Sequence, residues 1–169
     1  MNAVMRAVRI APAARRLRAM TVADLAAVAA LEASAYAFPW SHGNFIDSLG
    51  AGYPSQVLLG PDGGLLGYFV AMQGVDELHL LNLTVAPAEQ SRGHARFMLD
   101  ALIVLSRRLG ARQLWLEVRH GNERARGLYL RYGFRHVGVR RGYYPAALGL
   151  REDAAVMSLD PLEAERDLD

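Results

Sequence analysis

Apolar positions recur along this chain with two different periods, and the switches between them outline a mixed α/β domain. Arg15 to Met20 reads as a short strand. Thr21 and Asp24 have the spacing of a capping box, and Leu25, Val28 and Leu31 continue from it as a helical stripe. Phe38-Pro39-Trp40 ends that helix, because proline disfavours helical backbone in the residue before it. Ser41 is placed to cap a second short helix carrying Phe45, Ile46 and Leu49. Gln56 to Leu59 and Leu65 to Ala71 read as strands around Pro61-Asp62-Gly63-Gly64, a hairpin signal. The apolar run Leu78 to Val85, closed by Pro87, predicts a central strand. Gly93 opens a stronger helix in which Phe97, Leu102, Leu105 and Leu109 recur, with Gly110 as its C-cap. Leu114 to Val118 is another strand, Asn122 caps a helix ending at Tyr132-Gly133, and final strands are expected around Val137 to Val139 and Ala154 to Leu159.

Strand, glycine turn, helix and strand form a βαβ crossover, which sets a helix N-terminus at the end of a sheet. That is a common address for anionic groups. No repeat or linker interrupts the pattern, and 169 residues suit a single core. One domain over residues 15–160 is expected, preceded by a basic arm, 1–14, and followed by a polar tail, 161–169.

Composition narrows the chemistry. Cysteine is absent, which removes thiolate nucleophiles, disulfides and Cys-ligated zinc. The five histidines lack the H-E-x-x-H spacing, so no metal is expected. Net charge is only +2, but Arg6, Arg9, Arg15, Arg16 and Arg18 crowd an acid-free start. A solvated arm leading into the first strand accounts for them; an organelle transit peptide is the alternative. Direct nucleic-acid binding is not expected. No window approaches the ~20 apolar residues of a membrane span, so no membrane partner and a cytoplasmic location are expected.

The segment Gln90-Ser91-Arg92-Gly93-His94-Ala95-Arg96 lies where the strong helix begins. Exposed amides, the positive end of the macrodipole and two arginines favour a phosphate there, and Gly93 lets the backbone approach closely. It is neither a Walker loop nor a G-x-G-x-x-G fingerprint. Plain turn chemistry is the competing account.

Gln90-x-x-Gly93-x-Ala95 resembles the Q/R-x-x-G-x-G/A signature of the GNAT acetyltransferases. Within that superfamily the chain is similar to the bacterial ribosomal-protein alanine N-acetyltransferases, the RimI type. The further matching stretches are Ala37-Phe38-Pro39-Trp40-Ser41, Leu114-Trp115-Leu116-Glu117-Val118-Arg119, Asn122 with Ala125, Leu128-Tyr129 before Gly133-Phe134, Arg140-Arg141-Gly142-Tyr143-Tyr144-Pro145 and Arg151-Glu152-Asp153-Ala154. They run in the family's order from about Thr21 to Leu159. Three positions depart from the subgroup: Ala95 replaces a second glycine, His94 a small or apolar residue, and Ser91 a basic one.

The resemblance implies a single-domain GNAT fold: a mostly antiparallel sheet of about seven strands, a βαβ core that binds acetyl-CoA, and about four helices. It implies acetyl transfer to the N-terminal α-amine of a protein, the family's substrate being a small-subunit ribosomal protein beginning with alanine. An α-amine loses its proton near pH ~7.8 and a lysine near ~10.4, so the N-terminus needs about 3.5 kcal/mol less work to deprotonate. A modest base suffices.

Alternation over Gln113 to Arg119 puts Leu114, Leu116 and Val118 on one face and Trp115, Glu117 and Arg119 on the other. By pattern alone Glu117 is a structural carboxylate; the resemblance makes it the general base. Tyr129 is a core aromatic by pattern and the general acid by resemblance. Asn122 caps its helix and, by resemblance, touches CoA. The backbone of Leu83, Thr84 and Val85 would hold the pantetheine and polarise the thioester carbonyl, and Ser91, Arg92, Gly93, His94, Ala95 and Arg96 would hold the pyrophosphate. Phe38, Pro39, Trp40, Tyr143 and Tyr144 are the implied peptide walls, with Glu32 a candidate contact for the incoming ammonium. The rival readings are a small-amine acetyltransferase and a non-catalytic acyl-CoA-binding module. A monomer or weak dimer is expected.

Overall fold

Local chemistry sets the elements close to where the patterning puts them. The computed structural model describes residues 14–164. The basic arm, apart from Ala14, and the last five residues of the tail lie outside them. Among the described residues the order is β1 (Arg16–Ala19), α1 (Leu25–Ala35), α2 (His42–Gly50), β2 (Ser55–Leu59), β3 (Leu65–Gln73), β4 (Glu77–Val85), α3 (His94–Arg108), β5 (Gln113–Arg119), α4 (Glu123–Tyr132), β6 (Arg135–Pro145) and β7 (Arg151–Leu159). The seven strands form one sheet in the order β1-β2-β3-β4-β5-β7-β6. Every neighbouring pair is antiparallel except β4 and β5, which the α3 crossover makes parallel.

Capping follows the sequence with one change. Ser41 Oγ accepts the Asn44 N–H at 3.1 Å, and Asn122 Oδ1 accepts the Ala125 N–H at 3.1 Å. Asp24 accepts the Thr21 N–H at 2.8 Å, but its own N–H reaches the Thr21 backbone carbonyl. Half of the expected box therefore forms, on a 3-10 turn that leads into α1.

Helices cover both faces of the sheet. On one side α3 and α4 bury Met98, Leu99, Leu102, Ile103 and Tyr129 against Phe69, Leu78, Leu80, Leu114, Leu116 and Met157. On the other, Leu25, Val28 and Phe45 of α1 and α2 meet Val57, Tyr68 and Val70. The α3 stripe is displaced from the expected one: Met98, Leu99, Leu102, Ile103 and Ser106 are buried, while Phe97, Leu105 and Leu109 pack at the margin. The helix carries more apolar residues than one face holds, and the sheet selects among them. The last two strands run longer than predicted, because β6 is the sheet edge and its mostly exposed residues carry almost no apolar alternation.

One irregularity shapes the centre. Val70 pairs with Asn82 but Ala71 pairs with Leu80, so Leu81 is an extra residue in β4. A bulge of this kind bends its strand and shifts the alternation. Before it, His79 faces the α1 side; after it, Asn82 and Thr84 face that side too, as their bonds to Glu32 and Tyr36 show. Beyond the bulge β4 keeps pace with β3 as far as Gly67↔Val85. Its parallel pairing with β5 ends at Leu80↔Leu116.

Candidate active site

Past Leu80, then, β4 leaves β5, and the backbone of Leu81 to Val85 presents an edge with no strand on it. On its other edge β5 stays paired with β7 throughout, from Leu114↔Leu159 to Arg119↔Ala154, so only its β4 side opens. The result is a V-shaped opening in the middle of the sheet. Gly67 lets β3 pack close behind the β4 wall: a Cβ there would lie 2.5 Å from the Thr84 carbonyl oxygen. Tyr36 reaches the opening from the end of α1, its hydroxyl 3.3 Å from the Leu83 carbonyl and 2.8 Å from Thr84 Oγ1.

Glu117 is the first outward residue of β5 beyond the last β4 pair. Its side chain is 5% exposed. Oε2 lies 2.5 Å from His79 Nε2, and an ionised carboxylate only accepts, so the imidazole donates. His79 stacks on Trp115 at 3.6 Å, with its Nδ1 buried and unpartnered. Oε1 has no hydrogen bond; its neighbour is Arg140 Nε at 3.2 Å, on a half-exposed guanidinium lying over the Trp115 and Tyr143 rings. His79 and Arg140 carried no sequence signal for this role, because their meeting depends on the β4–β5 register and on the path of β6.

Tyr129 enters from the α3–α4 side. Its ring is 7% exposed and packs edge-on to Phe134 at 5.5 Å. Burial pushes its phenol above the ordinary range, and the nearby Tyr36 and Tyr144 phenols add to the shift. The Tyr144 phenol is also raised, by burial first and then by Glu117 and Tyr143. These groups therefore share one field across the opening.

The expected walls are only partly assembled there. Arg119 stacks on Tyr144 at 4.6 Å and on Phe38 at 5.4 Å, joining the hairpin to the segment after α1. Tyr143 and Tyr144 meet edge to face at 4.9 Å. Pro39 is exposed beside Phe38. Trp40 does not join them: its ring turns inward onto Phe45 at 5.3 Å. Glu32 is likewise turned inward. It is 2% exposed, with Oε1 accepting the Trp40 N–H at 3.0 Å and Oε2 taking the Tyr68 hydroxyl and Asn82 Nδ2. Its acceptors are engaged inside the fold, so it holds the Phe38–Trp40 segment instead of facing an ammonium.

At the start of α3, Gly93 is the N-cap with φ +81°, a value that favours glycine. The first helical bond runs from the Phe97 N–H to the Gly93 carbonyl, so the His94, Ala95 and Arg96 amides have no acceptor within the helix. Such amides fit an anionic pyrophosphate. The side chains around them do other work. His94 is buried, its Nδ1 accepting from Arg15 at 3.0 Å and its Nε2 lying 3.5 Å from Glu89. Arg92 pairs with Glu89 at 3.1 Å. Gln90 Oε1 and Ser91 Oγ accept from Arg124 of α4, at 2.6 and 2.8 Å. The Arg96 side chain points elsewhere, into a cleft of about 670 Å³ shared with Arg112, Arg131, Tyr132 and Arg135. Asn122 is exposed at the head of α4. Among the described residues no cluster of His, Cys, Asp or Glu could hold a metal, and no helix is long and apolar enough to cross a membrane.

The family model described as acetyltransferase (GNAT) family matches residues 25–134. The [ribosomal protein bS18]-alanine N-acetyltransferase of Salmonella typhimurium is 38% identical over 140 residues, covering 83% of this chain and 93% of that protein. The crystal structure of the ribosomal-protein-S18-alanine N-acetyltransferase from Escherichia coli superposes with a TM-score of 0.79 at 36% identity, over 86% of this chain and 93% of that one. A spermidine/spermine N-acetyltransferase from Vibrio cholerae has a TM-score of 0.75 at 20% identity, over 92% of this chain and 98% of that one, a likeness of fold alone.

Proposed function

The chain belongs to the GNAT acetyltransferase family, and from that premise we propose that it acetylates the N-terminal alanine of ribosomal protein bS18. Acetyl-CoA, the donor that the family implies, supplies an activated acetyl group when bound. The unpaired amides of His94 to Arg96 suit its pyrophosphate, and the open edge of Leu83 to Val85 suits its extended arm. Main-chain amides on that edge stabilise charge developing on the thioester oxygen, as in an oxyanion hole.

Glu117 takes the proton of the attacking amine. His79 holds Oε2, which leaves Oε1, buried beside Arg140, to receive the proton. The nitrogen bonds to the acetyl carbon, the carbon–sulfur bond breaks, and the departing thiolate receives the Tyr129 proton. A phenol kept above its ordinary range by burial remains protonated at neutral pH and so remains a donor. Phe38, Tyr143 and Tyr144 flank the peptide, and Glu32 acts at one remove by anchoring Trp40.

The observation that carries this reading is the buried Glu117 carboxylate on β5 just past the last β4 pair, where the β4–β5 opening begins. The test is acetyl transfer to a panel: peptides beginning with alanine, the same peptides N-blocked but bearing lysine, and spermidine, scored by product mass. Only the free alanine peptides should react. Glu117→Gln and Tyr129→Phe should each lower kcat by about 100-fold or more, the range of a lost acid or base. Transfer to spermidine or to the blocked peptides would overturn the assignment.

A further inference from the structure

The oxygen that must receive the amine proton is not free. Of the Glu117 oxygens, Oε2 is held by the buried His79, stacked in turn on Trp115. Oε1, the only one left, lies 3.2 Å from Arg140 Nε without a hydrogen bond. The two partners differ in kind. The His79 side chain is 8% exposed and rigidly stacked, whereas that of Arg140 is 47% exposed and comes from the edge strand β6. A cation thus rests against the base at the point where the substrate's own cation has to arrive.

We infer that Arg140 is a gate that determines specificity: its guanidinium covers Glu117 Oε1 and yields only to an α-ammonium whose attached peptide supplies the binding energy to displace it. This rests on the reading of Glu117 as the base. The geometry gives the guanidinium somewhere to go, since it already lies 5.4 Å from the Tyr143 ring and 5.5 Å from Trp115 and can leave the carboxylate while keeping aromatic contact. It also explains the discrimination. A free small amine brings the same charge as a peptide N-terminus but nothing to grip Phe38, Tyr143 and Tyr144, so it exchanges one cation for another at no gain. A peptide adds those contacts and tips the exchange.

The test compares the unaltered enzyme with Arg140→Met and Arg140→Lys, using alaninamide and an alanine-initiated hexapeptide at saturating acetyl-CoA. Arg140→Met should raise kcat/KM for alaninamide about ten-fold, the loss of a competing charge contact, and narrow the hexapeptide-to-alaninamide ratio accordingly. Arg140→Lys keeps a cation on the site and should keep the ratio. Equal losses on both substrates in Arg140→Met would mean that Arg140 merely supports Glu117, and an unchanged ratio would mean that it gates nothing; either overturns the proposal. A second readout needs no turnover. The Arg140 Nε–H resonance, identified by its absence from Arg140→Met, should shift when the hexapeptide is added and stay put with its N-acetylated form. A resonance indifferent to the hexapeptide defeats the gate even if alanine peptides are acetylated. A resonance that responds while no peptide is acetylated keeps the gate and defeats the functional reading.

Discussion

Replacing Tyr68 by phenylalanine removes a single hydroxyl from the interior and leaves the ring where it is, edge-on to Phe45 at 5.6 Å. That hydroxyl donates to Glu32 Oε2, on a carboxylate 2% exposed whose other donors are Asn82 Nδ2 and the Trp40 N–H. A hydrogen bond to a buried charge contributes about 1.5–3 kcal/mol, so Tyr68→Phe should destabilise the domain by about 2 kcal/mol. At about 2–4 °C per kcal/mol for a chain of this size, Tm should fall by about 4–8 °C. Urea titration and thermal melts followed by circular dichroism measure both. The effect should be coupled to its partner: in a cycle with Glu32→Gln, the double variant should recover at least about 1 kcal/mol relative to the sum of the singles. Because Glu32 also anchors Trp40, KM for an alanine peptide should rise while KM for acetyl-CoA stays. A loss under about 0.5 kcal/mol, or strict additivity, would refute the view that this buried carboxylate organises the segment after α1.

Two other perturbations probe the frame. The Arg18 guanidinium, helped by the Thr21 N–H, holds the Asp24 carboxyl at about 2, below its ordinary value. A folded value below the unfolded one means stabilisation that is complete above about pH 4 and is lost as pH falls toward 2. Asp24→Asn should therefore cost about 1 kcal/mol at pH 7, discounted for an ion pair open to solvent, and almost nothing near pH 2. Urea midpoints across that range check it, and a constant gap would contradict it. Gly67→Ala puts a methyl 2.5 Å from the Thr84 carbonyl oxygen, so β3 and β4 must part. Overpacking of this kind costs about 1–3 kcal/mol, and since it displaces the open edge it should also weaken CoA binding by calorimetry. Unchanged binding would show that the edge is not used.

The elements were legible wherever the signal was local. Caps at Ser41 and Asn122, the Pro61–Gly64 turn and the alternation of β5 are one- to four-residue facts, and the structure honours them. Legibility failed where a contact partner decides. Trp40 and Glu32 have no local reason to face inward, yet each finds its partner across α1, α2 and β4.

What the sequence determined by itself was the set of periods, and through them the β-α-β order that fixes a parallel β4–β5 pair, an α3 N-terminus at the sheet end and an outward Glu117. What only the tertiary structure decided was the opening. An extra residue at Leu81 is invisible in an apolar run, because either face of a strand covered by helices accepts leucine. Once β4 bends there, it parts from β5 after Leu80↔Leu116, the backbone of Leu81 to Val85 is left open, and His79 and Arg140 close on Glu117 from strands that sequence alone does not bring together. Side-chain alternation is a property of one strand. Register between strands is a property of the whole sheet.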